Sequence, residues 1–268
     1  MKSPEFLVSK GVDLQKSLEL FGNIETYNDT IGDFIVSTES KLNKLKEYIS
    51  NKDMANYAIY VHSIKSDARY FGFTKLVDIA YEHELKSKAG DLYYINENFN
   101  NLSNAVNEAT TIVKDYLYGT NDTLIKQSTQ ISSPTTEIYD KKTIFVVDDS
   151  NIIRNFVKRI FDEMYGVATA KDGQEAIDII KVNQDNDNIV AILLDLNMPR
   201  VDGFKVLEYM QENSLFNKMP VSIISGDSSK ETIDKAFNYQ IIDMLGKPFT
   251  DADVKRVVEK TIMYKDLI

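Results

Sequence analysis

Five short apolar runs in the second half of the chain restrict the folds open to it more than any other feature. TIFVV (143–147), VATA (167–170), VAILL (190–194), VSII (221–224) and IDML (242–245) alternate with segments of helical periodicity. One such segment runs to about Met164, and others start at Asp172, Gly203, Ser228 and Asp251. Apolar strands alternating with helices predict a doubly wound α/β domain, a parallel sheet covered on both faces. Groups that do chemistry on such a sheet collect where the strands end at their carboxyl edge. The residues predicted there are Asp148 and Asp149 after the first strand, Asp195 after the third, Ser225 after the fourth and Lys247 after the fifth.

Three carboxylates at one sheet edge repel one another unless a cation joins them. Hard oxygen donors without His or Cys select Mg²⁺ or Mn²⁺, with water completing an octahedron. Lys247 adds fixed positive charge and the Ser225 hydroxyl a hydrogen-bond donor, which suits a phosphoryl group whose equatorial oxygens need neutralising during transfer. Gly226 beside the serine keeps the entrance open. Asp195, central in the set, is the expected nucleophile and would form an acyl phosphate. Singly these residues are ordinary, since an Asp-Asp pair caps a helix and Gly-Lys-Pro makes a turn. Five of them at strand ends point together to phosphoryl chemistry.

Upstream of about Gly119 the pattern is helical nearly throughout. Phe34, Ile35, Leu42, Leu45 and Ile49 predict a helix near 26–50. Others are expected from Asp53 to about Tyr70, from Thr74 to Lys88 and from about Tyr94 to Tyr116, with a shorter one near the start. Short connections between antiparallel helices make a bundle. The second helix carries YVHSIKSDARYFGF (60–73), which holds one of only two histidines in 268 residues. Val61, Ile64, Ala68 and Phe71 form one stripe, and His62, Lys65, Ser66 and Arg69 another. At about 100° per residue Ile64 lies roughly 200° from His62, so a core-facing apolar stripe turns His62 to solvent. Lys65, one turn on, is placed to pair with an anion delivered to the imidazole, and its charge favours the neutral, nucleophilic ring. Ser66 is small enough to let another protein approach, and Gly72 is expected to end the helix. His83 continues the apolar face of Leu76, Ile79 and Ala80 and is expected to be a packed structural residue.

GTNDTLIKQSTQISSPTTEIYDKK (119–142) lacks sustained apolar periodicity and reads as a linker. The expected organisation is a helical bundle over 1–118, a flexible linker over 119–141 and an α/β domain over 142–268. A linker of that length spans roughly 25 Å root-mean-square, enough to hold both domains at high effective concentration. Cysteine is absent, which removes disulfides, thiol catalysis and thiolate metal sites. A net charge of -10 argues against general nucleic-acid binding, which needs a basic face. No run approaches the roughly 18 apolar residues of a membrane span, and the first residues lack a secretory pattern, so a cytoplasmic protein is expected. Neither GxGxxG nor GxxxxGK[ST] occurs, which predicts no kinase-type ATP site and a phosphoryl group supplied from elsewhere.

VVDDS, LLDLNMPRVDG, ISGD and GKPF together resemble the receiver domain of two-component response regulators, over roughly residues 141–265. The resemblance implies a five-stranded (βα)5 domain with strand order 2-1-3-4-5 and phosphorylation on Asp195. It also implies Mg²⁺ held by Asp149, Asp195 and the main-chain carbonyl of Asn197, with Asp148 assisting through water, and a phosphoryl group bound by Ser225 and Lys247. The sequence departs at Met244, where the family often has an aromatic residue that couples to Ser225. His62, Lys65, Ser66 and Gly72, followed by FTKLVDIAYEHE, resemble the histidine phosphotransfer (HPt) family over roughly residues 10–118. Its members are four-helix bundles whose exposed histidine carries a phosphoryl group between aspartates. That role maps onto His62 only, and Ser66 stands where the family most often has glycine.

A phosphorylatable aspartate and histidine on one chain predict a phosphorelay intermediate. Asp195 would accept a phosphoryl group from a phosphohistidine, and His62 would exchange it with receiver aspartates, on this chain or on others. The expected partners are a sensor histidine kinase and other receiver or HPt domains. The protein is read as a phosphoryl carrier whose receiver catalyses its own phosphorylation and dephosphorylation, with output through protein partners or the HPt half. One alternative is a binding module switched by Asp195 phosphorylation, with His62 unphosphorylated. The other is a Mg²⁺-dependent phosphatase with an aspartyl-phosphate intermediate, whose nucleophile would sit in a DxD after the first strand, where this chain has DDS.

Overall fold

The structure, a computed structural model, describes residues 1–119, 141–227 and 229–267, and the chain divides into two compact units. The predicted linker lies, over 120–140, outside the described residues.

The first unit is helical: α1 (Glu5–Ser9), α2 (Leu14–Phe21), α3 (Ile24–Ser50), α4 (Met54–Tyr70), α5 (Thr74–Lys88) and α6 (Leu92–Tyr118). Side chains of Asn23, Asp53 and Asp91 accept hydrogen bonds from Thr26 N, Asn56 N and Tyr94 N, which caps α3, α4 and α6. The single short helix expected near the start is two, because Asp13 accepts from Lys16 N and starts a second one. The four long helices close a ring, with α3 against α4, α4 against α5, α5 against α6 and α6 against α3. Phe34 stacks on Phe73 at 5.0 Å and meets Phe71 edge-on, and Phe71 stacks on Phe21. Gly72, at φ 75°, makes the tight turn that brings these rings together. A Cβ there would lie 2.5 Å from the main-chain oxygen of Asp13, so no other residue fits without a shift.

Inside this ring Lys41 of α3 pairs with Asp67 of α4 at 2.6 Å, and Ser37 donates to the same carboxylate at 3.0 Å. Lys41 is 7% exposed and Asp67 1%, so the pair fixes how α3 and α4 face one another at a charge that only a partner can offset.

The second unit alternates β1 (Thr143–Val147), α7 (Asn151–Phe161), β2 (Gly166–Ala170), α8 (Gly173–Asn183), β3 (Ile189–Asp195), α9 (Gly203–Glu212), β4 (Val221–Ser225), α10 (Lys230–Ala236), β5 (Ile241–Gly246) and α11 (Asp251–Leu267). All pairings are parallel and the order is β2-β1-β3-β4-β5. Phe145, Val147, Ile192, Leu194, Val221 and Ile223 share one core cluster with residues of α8 and α9. The alternate residues Ile144, Val146, Leu193 and Ile224 are also fully buried, and Ser222 bonds Thr261 of α11, so both faces are covered. The boundaries differ slightly from expectation. Asp195 and Ser225 are the last residues of their strands, and α10 starts at Lys230, where the Ser229 hydroxyl accepts from Thr232 N. The predicted start at Ser228 lies outside the described residues.

Lys41→Met is expected to destabilise the helical unit by about 3 kcal/mol, because Asp67 then keeps a buried charge without its cation. Lys41→Met combined with Asp67→Leu should recover most of the loss. Urea unfolding of the full chain, followed by helical circular dichroism, measures both, and a double variant no more stable than the single one would refute the account.

Candidate functional site

Strand order places the ends of β1 and β3 side by side, and the register pairs Val147 with Leu194, so Asp148 comes level with Asp195. One carboxylate oxygen from each of Asp148, Asp149 and Asp195 can be chosen so that all three lie within 4.8 Å of one another. Lys247, just past β5, reaches back between two of them, with Nζ 2.6 Å from Asp148 Oδ2 and 2.6 Å from Asp195 Oδ2. Its own main-chain N donates to Ser225 O at 2.7 Å, which ties the ends of β4 and β5 together. Asp148 is 0% exposed and Asp195 3%. Asp195 Oδ1 accepts from Asn197 N at 3.1 Å, and Ser225 Oγ accepts from Asp227 N at 3.1 Å. Gly203 lets α9 start hard against this corner, since a Cβ there would lie 2.2 Å from the main-chain oxygen of Asp195.

Burial pushes the Asp195 carboxyl up to about 7 against the pull of Lys247, with the charges of Asp148 and Asp149 adding to the rise. Asp148 is raised for the same first reason, burial, again opposed by Lys247. Burial alone would lower Lys247, but the carboxylates of Asp148, Asp195 and Asp149 outweigh it and keep the ammonium charged. Three oxygen donors without His or Cys, only partly neutralised by one lysine, fit a hard divalent cation.

At the second sequence-predicted position the geometry differs from expectation. His62 does not stand clear in solvent: its side chain is 13% exposed and Nδ1 lies 2.9 Å from Glu84 Oε1 of α5. Lys65 is 8% exposed and hydrogen-bonds Glu84 Oε2, so it is committed to Glu84 rather than held ready for an incoming anion. Lys88 reaches Oε1 of the same carboxylate at 2.6 Å. The physical reason is that α4 packs against both α3 and α5, so the stripe of His62 and Lys65 lines the α4–α5 groove. Burial would raise the Glu84 carboxyl, but the hydrogen bond and charge of His62, with Lys65 and Lys88, hold it well below the usual carboxylate range.

The family model of the response regulator receiver domain matches residues 144–259, all within the second unit. Two-component response regulator ARR5 of Arabidopsis thaliana is 30% identical over 138 residues, covering 47% of this chain and 75% of that protein. The chain belongs to the response regulator receiver family. Two-component response regulator ORR3 of Oryza sativa subsp. indica is 28% identical over 121 residues, 45% of this chain and 90% of its own length. The solved structure of Vibrio cholerae chemotaxis protein CheY4 is 26% identical over 46% of this chain and 99% of its own, with a TM-score of 0.41. The second unit is therefore a receiver domain of two-component signalling, with its acidic residues and Lys247 gathered at the edge where the strand-end rule puts them.

In this receiver Met244 sits three residues before Lys247, partly buried and packed against the core cluster. Two contributors were not read from sequence. Arg154 of α7 donates to the main-chain oxygen of Asp148, and Glu84 carries the whole His62 network. A signal for Glu84 was present. His62 and Glu84 are each eleven residues from Phe73, so folding α4 and α5 back on one another about that turn puts them at the same height.

His83, beside Glu84, is buried at 1% exposure, and the Tyr57 hydroxyl lies 2.8 Å from its Nδ1. Burial lowers its pKa from 6.5 to about 4. The unfolded chain therefore takes up this proton first as pH falls. The stabilisation is full above about pH 6.5 and is lost progressively toward pH 4, amounting to about 2 kcal/mol between pH 7 and pH 5. Urea unfolding at the two pH values should show that loss in the native chain and a smaller one in His83→Gln; equal losses would refute it.

Proposed function

We propose that the protein is a phosphorelay intermediate in which Asp195 accepts a phosphoryl group from a phosphohistidine and His62 exchanges one with receiver aspartates. In the forward step a carboxylate oxygen of Asp195 forms the O–P bond as the N–P bond of the donor breaks, and the donor imidazole keeps the electron pair. Lys247 is placed to leave its carboxylate pair for the equatorial oxygens, and the Ser225 hydroxyl to donate to one of them. Asp149, Asp195 and the Asn197 carbonyl would hold a Mg²⁺ ion, with Asp148 through water, and the ion would neutralise charge on the transferring group.

The observation that carries the histidine half of this reading is the 2.9 Å contact between His62 Nδ1 and Glu84. A carboxylate at that distance accepts the Nδ1 proton, which leaves the lone pair on Nε2, the nitrogen free to attack phosphorus. It also stabilises the positive ring that forms when Nε2 gains a phosphoryl group, as a carboxylate does beside any catalytic histidine. Among the described residues no other histidine is so placed, since His83 is closed in by Tyr57.

Purified chain loaded with acetyl phosphate and Mg²⁺, with the phosphoryl located by mass spectrometry, tests the reading. Label is expected on Asp195 and, through it, on His62. Asp195→Asn should abolish both, His62→Gln should leave Asp195 labelled, and Glu84→Ala should slow labelling of His62 by about a hundredfold while sparing Asp195. Label confined to Asp195, with a phosphorylated partner receiver also failing to label His62, would replace the relay by a phosphorylation-switched binding module.

A further inference from the structure

The loops that follow β2 and β3 are strapped together across the end of β1. Arg200, in the β3–α9 loop, sits at φ 68°, in the left-handed region that disfavours residues with a Cβ. Its guanidinium pairs with Oδ2 of Asp172, the residue before α8. Asp172 is 1% exposed, and its Oδ1 accepts from Gln174 N and Glu175 N, each at 3.0 Å. One oxygen thus caps the helix and the other is turned to Arg200. A second link runs beside it. Gly173 N donates to Val201 O at 3.0 Å, and a Cβ on Gly173 would lie 2.5 Å from that oxygen.

In a sheet ordered β2-β1-β3, a tie between the loops after β2 and β3 spans the end of β1, after which Asp148 and Asp149 follow. The strapped segment is also held from the core, because Leu196 and Met198 are each 1% exposed and belong to the sheet cluster. Asn197 lies between those two anchors, with its N–H on Asp195 Oδ1. A backbone held in a disfavoured conformation by a surrounding contact is a mark of a constraint that function uses. No chemistry in the receiver engages the Arg200 side chain itself.

We propose that Arg200 is a positioning residue for the divalent cation: its ion pair with Asp172 fixes the 196–202 segment, and with it the main chain of Asn197, whose carbonyl is read as a ligand. The proposal rests on the reading of Asp149, Asp195 and Asn197 as the metal ligands. Loss of such an outer support weakens metal binding without removing a ligand.

The test titrates Mg²⁺ into the full unphosphorylated chain by calorimetry and measures thermal unfolding in EDTA for the same proteins. Arg200→Ala and Arg200→Gly are expected to bind Mg²⁺ about tenfold more weakly. Arg200→Gly also relieves the left-handed backbone, which offsets part of the loss of the Asp172 ion pair, so its unfolding midpoint in EDTA should fall less than that of Arg200→Ala. Arg200→Lys, which keeps a charge beside Asp172, should recover part of the affinity. Affinities within about twofold across the set would overturn the proposal, as would a loss in Arg200→Gly matched by a fall in its EDTA midpoint as large as that of Arg200→Ala. No Mg²⁺ binding by the unsubstituted chain would overturn the metal reading itself, and the positioning role with it.

Discussion

One lysine set between two buried carboxylates governs the receiver edge. Asp148 and Asp195 lose hydration at the end of a covered sheet, and Lys247 returns part of it as two contacts of 2.6 Å. With Asp149 in the same cluster, three acids face one ammonium, and the set stays short of positive charge. Burial is the first cause of the rise of Asp195 to about 7, and the charges of Asp148 and Asp149 add to it against the pull of Lys247. A divalent cation would make up the shortfall of positive charge without protonating the Asp195 carboxylate. The same imbalance that makes the corner costly to fold therefore makes it receptive.

The His62 corner is built the other way round. A single carboxylate, Glu84, is shared by the imidazole of His62 and by Lys65 and Lys88, so two ammonium groups face one carboxylate. Burial raises the carboxyls of both Glu84 and Asp195, but at Glu84 the hydrogen bonds and charge of His62, Lys65 and Lys88 outweigh it, whereas at Asp195 Lys247 does not.

The receiver edge was legible in the sequence because it obeys a rule local to each strand. Asp148, Asp149, Asp195, Ser225 and Lys247 each sit at or just past a strand end, and strands buried on both faces announce themselves as apolar runs. Pairings between elements were less legible. Lys41 with Asp67 and Arg200 with Asp172 each join residues on separate segments and need a packing geometry before they can be seen, and His62 with Glu84 had only their equal spacing from the turn at Phe73 to point to it. Lys65 shows the error that follows. A helical wheel has an inside and an outside, but α4 has neighbours on two sides, and the stripe assigned to solvent lines the groove with α5.

The same distinction between local rule and packed arrangement bears on how the receiver passes its state onward. Met244 has no ring to swing and lies against the core cluster, so a rotamer change of the aromatic kind is absent at this position. Main chain links the end of β4 to β5: Lys247 N on Ser225 O at 2.7 Å, and the pairing of Ser225 with Gly246. One turn of strand away, Asp243 is held to α11 by Lys260 at 3.0 Å and Arg256 at 3.5 Å. The contacts that lead away from Lys247 and Ser225 are thus the main-chain pairing of β4 with β5 and the ion pairs that brace β5 against α11, and no aromatic ring at position 244 is among them.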